Sequence, residues 1–170
     1  GRIHTNDYEA DITTDGNLAT TQNVYLKGYR FQNNDTNYAG TTATDAWGGR
    51  SIIGNDATGN TLTISGGTLK DAYGGWSTGK KADGTLGKTT GNTVNLGDGT
   101  AATLAAGTHT EDTALYGGNK SAAADNTLNV YDSATARNIA NFDKINFKAT
   151  STHITVGDTL LTLTTGATNF

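Results

Sequence analysis

The segment Gly91-Asn92-Thr93-Val94-Asn95-Leu96 carries the pattern on which the fold depends. Polar and apolar residues alternate in it, which is typical of a β-strand with one buried face. The pattern Asn-Thr-apolar-polar-apolar occurs again at residues 60–64 and 126–130, so that the copies lie 32 and 34 residues apart. A repeat of this length indicates an architecture of stacked units.

A second unit, with the pattern small or apolar, aromatic, Gly, Gly, alternates with the first along the chain. Its copies are Ala46-Trp47-Gly48-Gly49, Ala72-Tyr73-Gly74-Gly75 and Leu115-Tyr116-Gly117-Gly118. The connections between copies vary in length while the units persist, as they do in solenoids, where turns absorb insertions. Along the chain as a whole, we expect glycine to supply corners with positive φ.

The segments around these units read as turns and further strands. Turns are predicted at residues 65–68, 97–100 and 131–134, and further strands at residues 23–31, 139–147, 154–156 and 160–163. Together with the two repeat units, these segments predict an all-β protein with irregular loops between coils.

The composition excludes several classes of protein. The 170 residues include 33 Thr, 23 Gly and 17 Asn but no Pro, Cys or Met, which disfavours a helical bundle, disulfides and thiolate metal sites. The chain has no apolar run long enough to span a membrane as a helix. Its net charge is −4 and its Lys and Arg residues form no cluster, so we expect no nucleic-acid partner.

Residues 41–170 resemble the passenger region of Gram-negative autotransporter adhesins. The clearest matches are Ala72-Tyr73-Gly74-Gly75-Trp76-Ser77 and Gly91-Asn92-Thr93-Val94, and residues 141–147 and 157–163 are similar to a module that often follows such repeats. The resemblance implies a right-handed parallel β-helix that is displayed on the bacterial surface, or secreted, and used in attachment. It also implies a longer precursor with an outer-membrane translocator.

We therefore expect one β-helical passenger fragment over residues 1–170. Residues 1–40 form less regular first coils, residues 41–134 the repeat coils and residues 135–170 a terminal module. The expected partner is a host receptor or glycan, or another copy of the chain, and the runner-up functions are a β-helical polysaccharide-degrading enzyme and a purely structural stalk.

The alternation divides the repeat strands into two faces. Asn60, Asn92 and Asn126 share parity with the apolar residues, which predicts an internal ladder of hydrogen-bonded amides. The opposite parity predicts an outward polar strip, a candidate surface for a glycan or a second molecule; its positions are Thr61, Thr63, Thr93, Asn95, Thr127 and Asn129.

Aromatic residues form the second candidate binding surface. Trp47, Tyr73 and Tyr116 occupy one repeat position, and Trp76 is an additional aromatic residue beside it. Equivalent rings stack from coil to coil in the structural interpretation. In the functional interpretation they form a platform for sugar rings.

Residues that carry catalysis or bind metals are not grouped in recognisable motifs. The histidines are His4, His109 and His153, and the acidic groups considered are Asp7, Glu9 and Asp11, and Glu111 with Asp112. Lys80, Lys81 and Lys88 share one loop without an acidic pair beside them. Since glycosidases and lyases need paired carboxylates or acids beside bases, we expect no catalytic centre, no bound metal and no cofactor.

Overall fold

The structure, a computed structural model, describes residues 2–4, 9–11, 17–18, 35–38, 42–51, 54, 56–64, 68–78, 80–81, 83–97, 113–119, 124–149 and 154–165. These ranges contain fourteen β-strands and no helix. The strands are β1 (Arg2–His4), β2 (Glu9–Asp11), β3 (Asn17–Leu18), β4 (Asp35–Tyr38), β5 (Thr42–Ser51), β6 (Thr61–Ile64), β7 (Thr68–Ser77), β8 (Thr93–Leu96), β9 (Ala114–Gly118), β10 (Thr127–Val130), β11 (Ala134–Ala136), β12 (Asn138–Ala140), β13 (Lys144–Phe147) and β14 (Leu161–Leu163).

Most strands belong to two parallel sheets. The six-stranded sheet has the order β13-β10-β8-β6-β4-β3, and the four-stranded sheet has the order β12-β9-β7-β5. From β4 to β10 the chain visits the two sheets in strict alternation. A parallel pair of β11 with β14 and an antiparallel pair of β1 with β2 complete the described strands. The prediction of an all-β protein is confirmed for the described residues.

The two repeat units of the sequence correspond to strands of the two sheets. Each Asn-Thr unit forms a strand of the six-stranded sheet, and each aromatic-Gly-Gly unit lies in a strand of the four-stranded sheet. In-register pairing places Leu62 beside Val94 and Val94 beside Leu128. Thr is β-branched, and β-branched residues suit the pleated surface of a sheet. The Thr-rich composition therefore favours strands.

One apolar cluster joins the two sheets. The six-stranded sheet contributes larger side chains, while β5 and β7 contribute the methyl groups of Ala46 and Ala72. The buried members are Ala46, Leu62, Ile64, Leu69, Ala72, Val94, Leu96, Leu115, Leu128, Val130, Ala134, Ala136, Ile139 and Phe142. Each Å² of apolar surface that is buried stabilises the fold by about 25 cal/mol, so this cluster is a main source of stability.

The three repeated asparagines lie inside, at the start of their strands. Asn60, Asn92 and Asn126 are each 0% exposed. Oδ1 of Asn92 accepts hydrogen bonds from the backbone N–H of Asn60 at 3.0 Å and from its Nδ2 at 3.1 Å. Oδ1 of Asn126 accepts from the backbone N–H of Asn92 at 2.9 Å. These bonds satisfy polar groups that would otherwise be costly to bury.

The glycines have two different roles, of which sequence analysis predicted one. Gly59 and Gly91, which precede two of the ladder asparagines, have φ values of 66°, as expected for corners. The paired glycines of the aromatic units instead provide room for the asparagines. A methyl group on Gly49 would lie 2.5 Å from Oδ1 of Asn60, and one on Gly74 would lie 2.8 Å from Cβ of Asn92.

Several predicted strands and turns differ in the structure. Residues 154–156 are not a strand, since Val156 and Gly157 form a turn, while β14 covers most of the strand predicted at residues 160–163. The segment 139–147 is divided between β12 and β13, because the chain turns at Asn141, whose φ is 60°. Of the turn predicted at residues 131–134, Ala134 already begins β11. The strand predicted at residues 23–31 lies outside the described residues.

Candidate binding face on the four-stranded sheet

Two rows of side chains lie on the side of the four-stranded sheet that faces away from the core. Strand pairing places Asp45 in register with Asp71, and Trp47 in register with Tyr73. Tyr73 is in turn in register with Tyr116 of β9. Successive side chains along a strand point to opposite faces. The burial of the intervening Ala46 and Ala72 in the core therefore directs these two rows outward. We call Asp45, Trp47, Asp71, Tyr73, Tyr116 and Arg137 the aromatic–carboxylate face.

The two tyrosines form the accessible part of the aromatic row. Their ring centroids lie 4.8 Å apart with an interplanar angle of 12°, which is a stacked arrangement. Both side chains are half-buried, so part of each phenol faces solvent. The stacking agrees with the structural interpretation of the aromatic repeat and leaves room for the functional one, since a stacked pair also presents hydroxyl groups and ring edges.

The two tryptophans are held by an arginine between them. The Arg50 guanidinium carbon lies 4.1 Å from the ring centroid of Trp47 and 4.2 Å from that of Trp76. Such cation–π contacts contribute about 0.5–2 kcal/mol each, depending on desolvation. Trp47 is only 3% exposed. One ring face of each tryptophan is thus occupied from within, and the predicted sugar platform is reduced to the tyrosine part of the row.

The two carboxyl groups of the carboxylate row, those of Asp45 and Asp71, have different electrostatic surroundings. Burial and then the adjacent negative charge of Asp71 raise the pKa of Asp45, although Arg50 and Lys70 oppose this shift. Asp71 accepts a charge-assisted hydrogen bond from Nη2 of Arg137 at 2.9 Å. One acidic group of the pair is therefore neutralised by an arginine, while the other retains its proton to a higher pH than usual.

Arg137 crosses a strand to reach this carboxylate. It precedes β12, whereas Asp71 lies on β7, and β9 separates these two strands in the sheet. The residue of β9 in register with Asp71 is Ala114, which is completely buried. Its small side chain leaves the space that the arginine occupies, so the salt bridge ties three neighbouring strands together.

Both tyrosine hydroxyls remain protonated at neutral pH. Burial, followed by the negative charge of Asp71, raises the pKa of Tyr73 and of Tyr116. Each phenol can therefore donate and accept a hydrogen bond, next to carboxylates that only accept when ionised. This set of groups suits a ligand that has several hydroxyls and an apolar ring face.

The polar strip predicted as a binding surface is closed at two of its six positions, while Thr61, Thr93, Asn95 and Thr127 are half-buried. Thr63 is only 6% exposed and Asn129 only 7%, which corrects their assignment as outward contact residues. The physical reason is that the side chains bond to one another along the stack. Nδ2 of Asn129 donates to Oδ1 of Asn95 at 2.8 Å, and Nδ2 of Asn95 donates to Oγ1 of Thr63 at 3.0 Å.

Four residues that take part in these two surfaces were not predicted from the sequence. Asn146 extends the polar row, because its Nδ2 donates to Oδ1 of Asn129 at 3.0 Å. The Asp45–Asp71 pair was also overlooked, although an Asp stands two residues before the aromatic residue in both units. Aligning the repeats one residue further upstream would have revealed it. Arg137 had no comparable signal, since it bonds to a residue 66 positions away.

The histidines, acidic residues and lysines considered as catalytic or metal-binding candidates form no such site among the described residues. Asp7, His109, Glu111, Asp112 and His153 lie outside the described residues, and of His4, Glu9 and Asp11 only the backbone strands are described. Nζ of Lys81 lies 2.8 Å from Oδ1 of Asp56, while Lys80 and Lys88 are exposed. Among residues that the structure describes, no three His, Cys, Asp or Glu side chains are grouped to hold a metal.

Comparison with protein-family models, curated proteins and solved structures found no match for this chain. Within the described ranges, no helix is long and apolar enough to cross a membrane.

Proposed function

We propose that the chain is a right-handed parallel β-helix that acts as an adhesive module on the bacterial cell surface or after secretion. The helical winding is supported by the strict alternation of strands between two parallel sheets with in-register repeats. The right hand is the one that crossovers between parallel strands take in nearly all proteins. The surface location rests on the resemblance of the repeats to autotransporter passengers, together with the lack of cysteine.

The observation that carries the binding function is the pairing of two outward rows in register. Tyr73 and Tyr116 supply a stacked aromatic pair at 4.8 Å, and Asp45 and Asp71 supply acceptors on the adjacent row. Sugars offer C–H faces to aromatic rings and hydroxyls to carboxylates. The ligand we propose is therefore a glycan of the host surface or of a neighbouring bacterium.

The charges of the face narrow the class of glycan. Asp71 is already paired with Arg137, and Asp45 lies against Asp71. Arg50 and Lys70 also act on Asp45 with their positive charges, so the described charges of the face are close to balanced. A face with nearly balanced charges has no strong electrostatic attraction for an acidic sugar, so we propose neutral hexoses as ligands.

A glycan array with purified protein tests the proposal directly. The proposal expects binding to neutral glycans, and expects Tyr116→Ala or Asp71→Asn to weaken it by about tenfold, equivalent to ~1.4 kcal/mol. Tyr131→Ala is the matched control, because Tyr131 is also a half-buried tyrosine but contacts Lys148, 5.6 Å away, rather than the proposed face. Equal affinity of all three folded variants would contradict this assignment. Absence of glycan binding and of cell attachment by the unmodified chain would favour the stalk.

A specific observation also favours the enzyme as second candidate function. Asp45 and Asp71 are register neighbours, and the pKa of Asp45 is raised by burial and by the charge of Asp71, which is how glycosidases prepare a general acid. Incubation with neutral polysaccharides followed by measurement of new reducing ends distinguishes the two functions. Release that Asp45→Asn abolishes would replace the adhesin by a hydrolase, whereas binding without release supports the adhesin.

A further inference from the structure

The stacked pair of Tyr73 and Tyr116 is placed for a covalent bond between two repeats. Register pairing of β7 with β9 sets the two residues side by side on strands that lie about 4.8 Å apart. Their ring centroids are likewise 4.8 Å apart, and the interplanar angle is 12°. Nearly parallel rings on paired positions bring the carbons ortho to one hydroxyl near those of the other ring.

Tyrosine is the side chain of this protein that a one-electron oxidant reaches most readily. The chain has no Cys and no Met, the two sulfur side chains that oxidants commonly attack. Its two tryptophans are protected, because the Arg50 guanidinium carbon lies 4.1 and 4.2 Å from their ring centroids and its positive charge opposes removal of an electron. Trp47 is in addition only 3% exposed.

The surroundings of the tyrosine pair favour oxidation. The negative charge of Asp71 acts on both phenols more strongly than the positive charge of Arg137 does. A negative charge nearby lowers the energy needed to take an electron from a ring. Both tyrosines are half-buried, so part of each phenol remains open to an oxidant.

We propose that Tyr73 and Tyr116 are a site of oxidative cross-linking, where a haem peroxidase and hydrogen peroxide join them as dityrosine. Each phenol gives up one electron and its hydroxyl proton. The two phenoxyl radicals pair in one bond between ring carbons ortho to the oxygens, and the hydrogen on each of these carbons is replaced by one on oxygen. The chain loses two hydrogen atoms, and one hydrogen peroxide is reduced to two molecules of water.

The bond links the second and third aromatic repeats of a chain that has no cysteine for a disulfide. It joins residues 43 positions apart, so it restricts the unfolded chain far more than the folded one, where the two residues are already neighbours. The rings tilt out of their stack as the carbons bond, a movement that their solvent-facing side allows. The inference depends on the stacked pair and is independent of glycan binding.

Treatment of the purified chain with a haem peroxidase and hydrogen peroxide tests the proposal. After oxidation, the monomer is isolated, unfolded and cut with trypsin, which releases Tyr73 in peptide 71–80 and Tyr116 in peptide 89–120, each without another tyrosine. Mass spectrometry should find these two peptides joined and lighter than their sum by two hydrogen atoms. The yield should not depend on protein concentration, and the oxidised monomer should unfold at a higher urea concentration than the untreated chain.

Three substitutions complete the test. Tyr73→Phe and Tyr116→Phe keep the ring but lack the hydroxyl hydrogen, so each should lose the joined peptide and retain its circular dichroism. Tyr131→Phe is the matched control with unchanged yield, because Tyr131 is also half-buried but contacts Lys148, 5.6 Å away. Absence of the joined peptide from the folded, oxidised chain overturns the proposal. So does a joined peptide that forms only between chains, or one no more abundant than the other pairings of the seven tyrosines.

Discussion

Asn92 shows how a single polar residue holds neighbouring repeats together. Its side-chain oxygen accepts two hydrogen bonds from Asn60, and its Nδ2 donates to the backbone oxygen of Ala57 at 3.0 Å. The residue is completely buried, so water cannot replace these bonds without a change in structure. Each group left without a partner in such a place costs about 1–3 kcal/mol.

Replacing Asn92 by alanine should therefore lower the free energy of unfolding by about 2–4 kcal/mol, since several buried groups lose partners together. Urea unfolding followed by circular dichroism measures the change. Asn95→Ala is the control, because Asn95 lies on the same strand but is half-buried on the opposite face. We expect a smaller loss there, as water can reach the vacated positions. An equal loss in both variants would refute the special role of the inner ladder.

Asp45 introduces a pH dependence of stability. Burial and the charge of Asp71 raise its pKa in the folded chain above the ordinary value of 3.8. The folded chain thus binds this proton more tightly than the unfolded chain does. The stability that protonated Asp45 contributes is complete below pH 3.8 and is lost as the pH rises through the raised pKa.

Asp45→Asn should consequently stabilise the protein at neutral pH and have little effect in acid, where the native carboxyl is already uncharged. Thermal unfolding of both proteins across this pH range measures the difference. Asp83→Asn provides a contrast of opposite sign, because hydrogen bonds from Thr85 lower the pKa of Asp83. An increase in stability from Asp45→Asn that is the same at every pH would argue against the electrostatic explanation.

At the scale of elements, the two repeat units form one packing device. Gly49 lies against the amide of Asn60, and Gly75 lies against Asn92. An aromatic-Gly-Gly strand thus needs its glycines because the asparagine that follows in the chain occupies the space of their side chains. This explains why the two units alternate in the sequence.

A double-mutant cycle tests this packing. The three atoms nearest to a methyl group on Gly49 all belong to the Asn60 side chain, at 2.5–2.6 Å. Gly49→Ala should therefore destabilise the native chain by about 1–3 kcal/mol, the usual cost of overpacking. The same change in an Asn60→Ala background should cost about 0.5–3 kcal/mol less, as measured by denaturant unfolding. Additive losses would show that the two residues do not compete for space.

The positions of the repeat strands, and the face on which each side chain lies, could be predicted from the sequence. Both depend on the local alternation of polar and apolar residues. Residues 61–64, 93–96 and 127–130 form strands, and their apolar residues are buried where period two places them. Surface exposure could not be predicted in the same way. The alternation correctly predicts that Thr63 and Asn129 point away from the apolar core. The hydrogen bonds between neighbouring strands that cover these two residues depend on the register of the strands, which the alternation does not give.

At the scale of the whole molecule, stacking turns repeated residues into continuous surfaces. Each of the three Asn-Thr repeats adds one asparagine to the inner amide ladder and two apolar residues to the core. Part of the candidate face could be inferred from the aromatic repeats alone. The carboxylate row and the Arg137 bridge required the three-dimensional register, because they join residues that are distant in the chain.

The central claim is that the strands of consecutive repeats lie in register, since the binding face depends on it. Thr93 and Thr127 are parallel partners on neighbouring strands, where Cα atoms lie about 4.8 Å apart, a separation that a disulfide spans. Thr61 and Thr127 are separated by β8 and lie about 9.6 Å apart, twice the strand spacing and beyond the reach of a disulfide.

Oxidation of paired cysteine variants is the most direct measurement of this claim, and the chain has no cysteine of its own to interfere. Thr93→Cys with Thr127→Cys should form an intramolecular disulfide rapidly and almost completely under native conditions. Thr61→Cys with Thr127→Cys should stay reduced until the chain is unfolded. A reduced first pair, or a second pair that oxidises as fast as the first, would contradict the in-register pairing of the repeat strands.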